Sequence, residues 1–341
     1  GGSNMAALTT GANNIAIGML ALGAMQSNSA NIAIGSRALA ASTVSNNMGI
    51  GSDAGMAIST GLRNIAIGHA AYTASDTEND NLAIGFNAMT TDTAGGTGNV
   101  ALGNYALDEL TSGDYNLSVG LSSGNSVTEG VSNVILGALC GANISTGNEN
   151  VLIGRSVGSH TVNLTTGSEN VLVGAYADTS AANSVNQIVL GYNVSGNSND
   201  SLCFGNEGTD SAIAFGATSI SAPSDIRLKQ NINDDVAGLS FINDLRPVTY
   251  EWRKEKDIPE EMLTHKAGSE ERYNNDFINH GFIAQEVKEV IDNHPEIKDG
   301  FKMWSEDERD GRQRIAEGAL VTMLVKAVQE LSAEIEILKA K

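Results

Sequence analysis

Asn64-Ile65-Ala66-Ile67-Gly68 is one copy of a five-residue phrase that recurs through the front of the chain. The phrase is asparagine, apolar, any residue, apolar, glycine. It stands at 14–18, 31–35, 47–51, 64–68, 81–85, 99–103, 116–120, 133–137, 150–154 and 170–174, with looser copies at 187–191 and 201–205. The closing glycines are 17, 16, 17, 17, 18, 17, 17, 17, 20, 17 and 14 residues apart. A period this regular is the mark of stacked repeats rather than of a globular core.

Working outward from the phrase, each unit has a small residue three places after its glycine: Ala21, Ala38, Ala54, Ala71, Ala88, Ala106, Ser123 and Cys140. Turn signals such as Thr-Gly often precede the asparagine. The unit therefore reads as a short strand ending at glycine, a turn, a second short strand, and a turn back. Asparagine at a fixed corner can bond backbone groups and stack as a ladder. Glycine supplies a positive φ or a close approach at the other corner. Ile15 and Ile17 face one side of their strand and Ala16 the other. A strand apolar on both faces needs cover on both. One thin coil has a single inside, so the second face calls for another surface, and an identical chain is the simplest. The expected fold of residues 1–205 is an all-β repeat array, a parallel β-helix or β-roll built as a homotrimer. A single-chain left-handed β-helix is the alternative, although no six-residue sub-period lies within the unit.

Charge narrows the partners. The chain has 341 residues and a net charge of −20. Residues 1–223 carry three basic residues, Arg37, Arg63 and Arg155, against fifteen acidic, a net −12. Neither nucleic acid nor an anionic membrane surface is an expected partner, because both need cations. No run approaches about 18 apolar residues, so membrane insertion is not expected either. Cys140 and Cys203 fall inside repeat positions and read as buried free thiols. No residue set calls for a cofactor, and His69 and His160 lie too far apart in the array to suggest a metal pair. Loop carboxylates at Asp76, Glu78 and Asp80, at Asp108 and Glu109, and at Asp114 are the only candidates for glycosidase chemistry, which needs two carboxylates facing each other across a sugar. Solvated loop charge accounts for them equally well. Tyr72, Phe86, Tyr105, Tyr115, Tyr176 and Tyr192 have rings that suit either sugar stacking or packing.

Composition changes at Ser224-Asp225-Ile226-Arg227-Leu228-Lys229, and residues 206–223 read as a closing segment and linker ahead of it. Behind it the chain reads as α+β: an amphipathic helix over 234–245, a strand over 247–252, a charged loop over 253–279, and a strand or turn at 281–287 feeding a helix to Ile291. In the last helix Val321, Leu324, Val328, Leu331, Ile335 and Leu338 are spaced 3, 4, 3, 4, 3, a heptad seam suited to a coiled coil. A serine becomes a nucleophile when a base takes its proton, and a lysine can be that base. Ser224 and Lys229 place such a pair at the boundary, although this spacing alone fits an ordinary polar loop.

Four blocks set the context: SDIRLKQNI (224–232), FINDLRPVTYEW (241–252), HGFIAQEV (280–287) and LVTMLVKAVQELSAEIEILK (320–339). In this order they resemble the C-terminal intramolecular chaperone domain of endosialidase-type phage tailspikes and tail fibres. The resemblance covers 224–341. It implies a domain that trimerises the fibre ahead of it and then cuts itself off just before the serine. Carried over residue by residue, Ser224 would be the nucleophile, Lys229 the base, and Pro223–Ser224 the scissile bond. The resemblance implies that His280, Gly281 and Gln285 support the chaperone, while Asp225 and Arg227 are, by their charges, candidates for fixing the loop or a surface ion pair. The front units are also similar to the head repeats of trimeric autotransporter adhesins, with a longer period.

These resemblances imply a phage tail fibre or tailspike fragment whose enzymatic activity is single-turnover autoproteolysis. Its expected partners are two more copies of itself, the fibre upstream, and a host cell-surface glycan or outer-membrane receptor. Its expected location is the virion tail, outside the cell, after assembly in the host cytoplasm. A glycan-degrading tailspike is one alternative. A bacterial trimeric surface adhesin is another, for which an outer-membrane anchor at the C-terminus would be expected. A membrane-released DNA-binding factor with this chaperone would need a basic front.

Overall fold

The computed structural model describes residues 10–91, 96–207, 209–217, 219–222, 224–297, 301–307 and 309–341. Two compact units divide the chain, Gly1–Asp225 and Ile226–Lys341.

The first unit is a β-solenoid with one strand per turn. Ten three-residue strands run from β1 (Ile15–Ile17) to β10 (Val171–Val173), followed by β11 (Gln187–Tyr192), β12 (Ser201–Asn206) and β13 (Ser211–Ala214). They form one sheet in sequence order, parallel up to β12. Like positions stack on like: Ile65 on Leu82, Ala66 on Ala83, Ile67 on Ile84. β13 turns back antiparallel on β12. Ser221 then bridges Ala212, its N–H donating to the Ala212 carbonyl at 2.7 Å, so the segment closes the last turn.

The expected second strand is not there. The opposite wall is a run of overlapping turns whose N–H groups alternate in direction. Ala21, Gly23 and Met25 N–H donate to carbonyls three residues back, while Leu22 and Ala24 N–H donate to Ala38 and Ala40 of the next turn. The geometry requires positive φ at residues with no glycine-like freedom, including Leu22 (53°), Leu39 (48°), Tyr72 (51°) and Met89 (51°). That conformation costs roughly 1–2 kcal/mol for an L-residue, and the cross-turn hydrogen bonds and full burial of these side chains offset it.

Asparagines form the expected ladder, fully inside. Asn116 N–H donates to Asn99 Oδ1 at 2.9 Å, and its Nδ2 donates to the Gly130 carbonyl at 2.7 Å. The same pattern runs from Asn31 to Asn170 and ends where Gln187 N–H donates to Asn170 Oδ1. The closing glycines form a second ladder. Gly103 has φ +144°, and a Cβ there would stand 2.2 Å from the Gly120 carbonyl oxygen. The middle residue of each strand points inward with the small residue after the glycine, and from Ala33 onward both rows are inaccessible. Where the middle residue is large, space is taken elsewhere: a Cβ on Gly158 would meet Leu152 Cδ2 at 2.7 Å. Cys140 and Cys203 are free and buried, and burial pushes the Cys140 thiol up to about 12.

The second unit is α+β. Helix α1 (Leu239–Asp244) and helix α3 (Leu320–Lys339) pack with α2 (Ala284–Asn293) around Phe241, Val287, Ile291, Met303, Leu320 and Met323. Strand β14 (Val248–Tyr250) pairs antiparallel with β15 (Asn279–Gly281), and β16 (Trp304–Glu306) with β17 (Gln313–Ile315). Helix α1 starts five residues later than expected. Gly238 is non-helical, and Glu330 of α3 sits against it, its Oε2 accepting the Leu239 N–H at 2.8 Å. The helix therefore begins where a side chain 91 residues away caps it. Among the described residues, no helix is long and apolar enough to cross a membrane.

Candidate functional site

Ser221, three residues before Ser224, is bonded to Ala212. Pro223, and with it the Pro223–Ser224 bond, lies outside the described residues. Ser224 and Asp225 close the first unit, and both are exposed. Arg227 and Lys229 open the second, also exposed; Arg227 lies in a 3-10 turn, Ile226–Leu228, and the Lys229 N–H donates to the Ile226 carbonyl at 3.1 Å. Every described side chain from Ser224 to Val236 is exposed, including Ile226, Leu228, Ile232 and Val236.

The other three family-implied residues come together on the second unit. His280 and Gly281 lie on β15, opposite Thr249 and Val248. Both line a concavity of about 480 Å³ with Phe282 and Glu317. Gln285, in the first turn of α2, lines an adjoining one of about 410 Å³, again with Gly281 and Glu317, and with Tyr250 and Arg314. A Cβ on Gly281 would stand 3.4 Å from Glu317 Oε1 and 3.5 Å from Tyr250 Cε1, so the carboxylate passes close over the glycine backbone. Glu317 is thus the shared neighbour of the group. Sequence reading missed it; the signal available was an acid set in Ala316-Glu317-Gly318-Ala319, immediately ahead of the last helix.

Helix α3 has two apolar faces with different fates. Leu320, Met323 and Ala327 are buried in their own unit. Val321, Leu324, Val328, Leu331, Ile335 and Leu338 remain exposed, from 43 to 67%. The seam residues are therefore not the ones that hold the helix to its domain, and the heptad face is free for partner helices.

Sequence reading also passed over His294. It is nearly buried and edge-on to Phe241, with Nδ1 2.7 Å from Glu296 Oε1 and Nε2 2.9 Å from Asp244 Oδ2. The hydrogen bonds to Glu296 and then Asp244 raise the imidazole above its ordinary value, and the bond to His294 holds Glu296 below the usual carboxylate range.

In the first unit most of the candidate carboxylates are committed to structure. Glu78 is buried and accepts the Asp76 and Thr77 N–H groups. Asp80 pairs with Arg63, Asp108 accepts the Thr90 hydroxyl, and Asp114 accepts the Thr97 N–H at 2.7 Å. Tyr72 belongs to the core, its hydroxyl accepting Asn81 Nδ2 at 2.7 Å. Among the described residues no three His, Cys, Asp or Glu side chains are grouped as a metal site would need.

The β-solenoid is followed by an α+β unit whose last helix leaves its heptad face exposed. Residues 224–294 match the family model described as chaperone of endosialidase. The match begins at Ser224, takes in α1, β14, β15 and α2, and ends at His294. This stretch matches a chaperone domain of a peptidase family, and with the solenoid ahead of it the chain fits the organisation of a tail-fibre type protein with a C-terminal chaperone domain. No curated protein and no solved structure matches the chain. The domain supports a trimerisation role.

Proposed function

We propose that the chain is the trimeric, host-attaching part of a phage tail fibre or tailspike, carried on the virion tail, whose terminal domain assembles it and then cuts itself free. The observation that carries this reading is the start of the family match at Ser224, three residues after Ser221, whose bond to Ala212 closes the solenoid. In the proposed reaction Ser224 Oγ attacks the Pro223 carbonyl carbon while its proton passes to Lys229 Nζ. The Ser224 amide nitrogen leaves, reprotonated by the same amine. The Pro223 acyl group is then held as an ester on Ser224, and water hydrolyses it to a Pro223 carboxylate and a free Ser224 amine. Lysine works as a base in a water-poor setting. Lys229 is exposed in the single chain, so cover by partner copies would tie cutting to completed assembly. Asp225, Arg227, His280, Gly281, Gln285 and the carboxylate of Glu317 are the residues proposed to support that arrangement.

Intact mass and denaturing electrophoresis of the parent, Ser224→Ala and Lys229→Ala test the reading. Two fragments meeting at 223/224 in the parent alone, from a particle that sediments as a trimer, is the expected result. One uncut species in all three sinks the cleavage and leaves residues 224–341 as a permanent trimer cap. Binding of labelled trimer to host cells tests attachment separately.

A further inference from the structure

The first unit has three cations, and two are matched. Arg37 pairs with Asp53 at 2.7 Å and Arg63 with Asp80 at 2.5 Å, each one turn on. Arg155 has no carboxylate within ion-pair distance among the described residues. Its guanidinium instead lies 5.3 Å over the Tyr176 ring. Tyr176 also meets His160 at 4.6 Å and Tyr192 at 5.8 Å, so four side chains from three successive turns form one surface cluster. Arg155, His160 and Tyr192 are exposed and Tyr176 is half-buried.

This cluster sits where the repeat departs from its period. The spacing from Gly154 to Gly174 is 20 residues. The added length makes the loop that presents His160, and a buried carboxylate fixes it. Asp178 Oδ2 accepts the Thr161 N–H at 2.6 Å and the Val162 N–H at 3.2 Å, and Oδ1 accepts the His160 N–H at 3.3 Å. Asp178 is 1% exposed, and the three N–H groups that its carboxyl accepts set one loop. A second ring row, His69, Phe86 and Tyr105, has no arginine recorded over its rings.

We propose that Arg155, His160, Tyr176 and Tyr192 bind an acidic sugar. Flat amphipathic rings offer apolar faces to the C–H face of a sugar and polar edges to its hydroxyls. An unmatched guanidinium recognises a carboxylate or phosphate through directed donors. A net charge of −12 on residues 1–223 disfavours a dense polyanion such as nucleic acid. The fitting ligand is therefore an oligosaccharide with an isolated acidic group among neutral sugars. The site deepens the attachment reading and rests on it.

The test is equilibrium binding of the assembled protein to oligosaccharides bearing one uronic acid, one sugar phosphate, or the neutral counterpart. The parent should bind an acidic form over the neutral one, more weakly as salt rises. Arg155→Ala and Tyr192→Ser should each lose about tenfold or more in affinity with the melting midpoint unchanged. Arg37→Ala, which removes a matched cation, should bind like the parent. Failure of the parent to bind any acidic form, equal binding of the neutral form, or unchanged binding by Arg155→Ala overturns the site. Cells bound equally by parent and Arg155→Ala would sink the site and leave attachment standing. Arg155-dependent sugar binding without cell binding would do the reverse.

Discussion

The two units solve the problem of a core in opposite ways. The solenoid stacks its buried amides and inward side chains in ladders, and each turn is bonded to the turns beside it, 14 to 20 residues away. The chaperone unit buries rings and closes over long separations, as where Glu330 caps Leu239. Strain is divided in the same way. Of the described non-glycine residues with positive φ, only Asn231 lies in the second unit. An isolated solenoid turn carries that strain with nothing to offset it until a neighbour stacks, so the first turns are the costly ones. A separate domain that gathers chains before the coil forms answers that cost.

Glycine substitution should break this contrast most visibly. Gly103→Val places a Cβ on the Gly120 carbonyl in a positive-φ position and should cost on the order of 3 kcal/mol or more, or prevent folding. Gly281→Ala, in the second unit, makes only ordinary contacts and should shift stability by less than about 1 kcal/mol. Urea denaturation of both variants checks the pair. Asn99→Ala comes next. It removes the acceptor of the Asn116 N–H and Nδ2 and the donor to the Gly113 carbonyl, all inside, and should cost about 2–4 kcal/mol in the same measurement.

A smaller effect belongs to the second unit alone. His294 is raised above the ordinary imidazole value of about 6.5 by Glu296 and Asp244. Its contribution should be full below that ordinary value and lost as pH rises through the raised one. Both tryptophans, Trp252 and Trp304, are in this unit, so tryptophan fluorescence follows it separately. Its melting midpoint should fall across that window, and His294→Gln should flatten the fall. The smallest effect is Arg63→Ala. The Arg63–Asp80 pair is exposed, and its loss should leave the urea midpoint of the solenoid unchanged.

Much of the solenoid was legible because its rules repeat. Ten copies and two looser ones expose the asparagine, the glycine and the inward small residue, and the heptad spacing marks the apolar face that α3 leaves exposed. The wall of turns was not legible. Leu22, Leu39, Tyr72 and Met89 carry no turn signal, and their conformation is held by N–H bonds to the next turn. The start of α1 was hidden for a related reason, since its cap comes from Glu330 in a distant helix. At the junction, Ser224 and Lys229 drew attention through resemblance rather than spacing. Glu317 joins His280, Gly281 and Gln285 only after β14 and β15 have paired.

The registered ladders have a consequence for how such a fibre changes over generations. Asn99 and Asn133 present the same groups to the same kinds of neighbour. Removing one whole unit between them should leave each end of the coil unaltered and shorten it by about 4.8 Å. Reach is therefore written in the gene as a tally of tandem copies. Unequal recombination between neighbouring copies can lengthen or shorten the fibre in whole steps, while the cluster around Tyr176 and the closing segment at Ser221 are inherited intact.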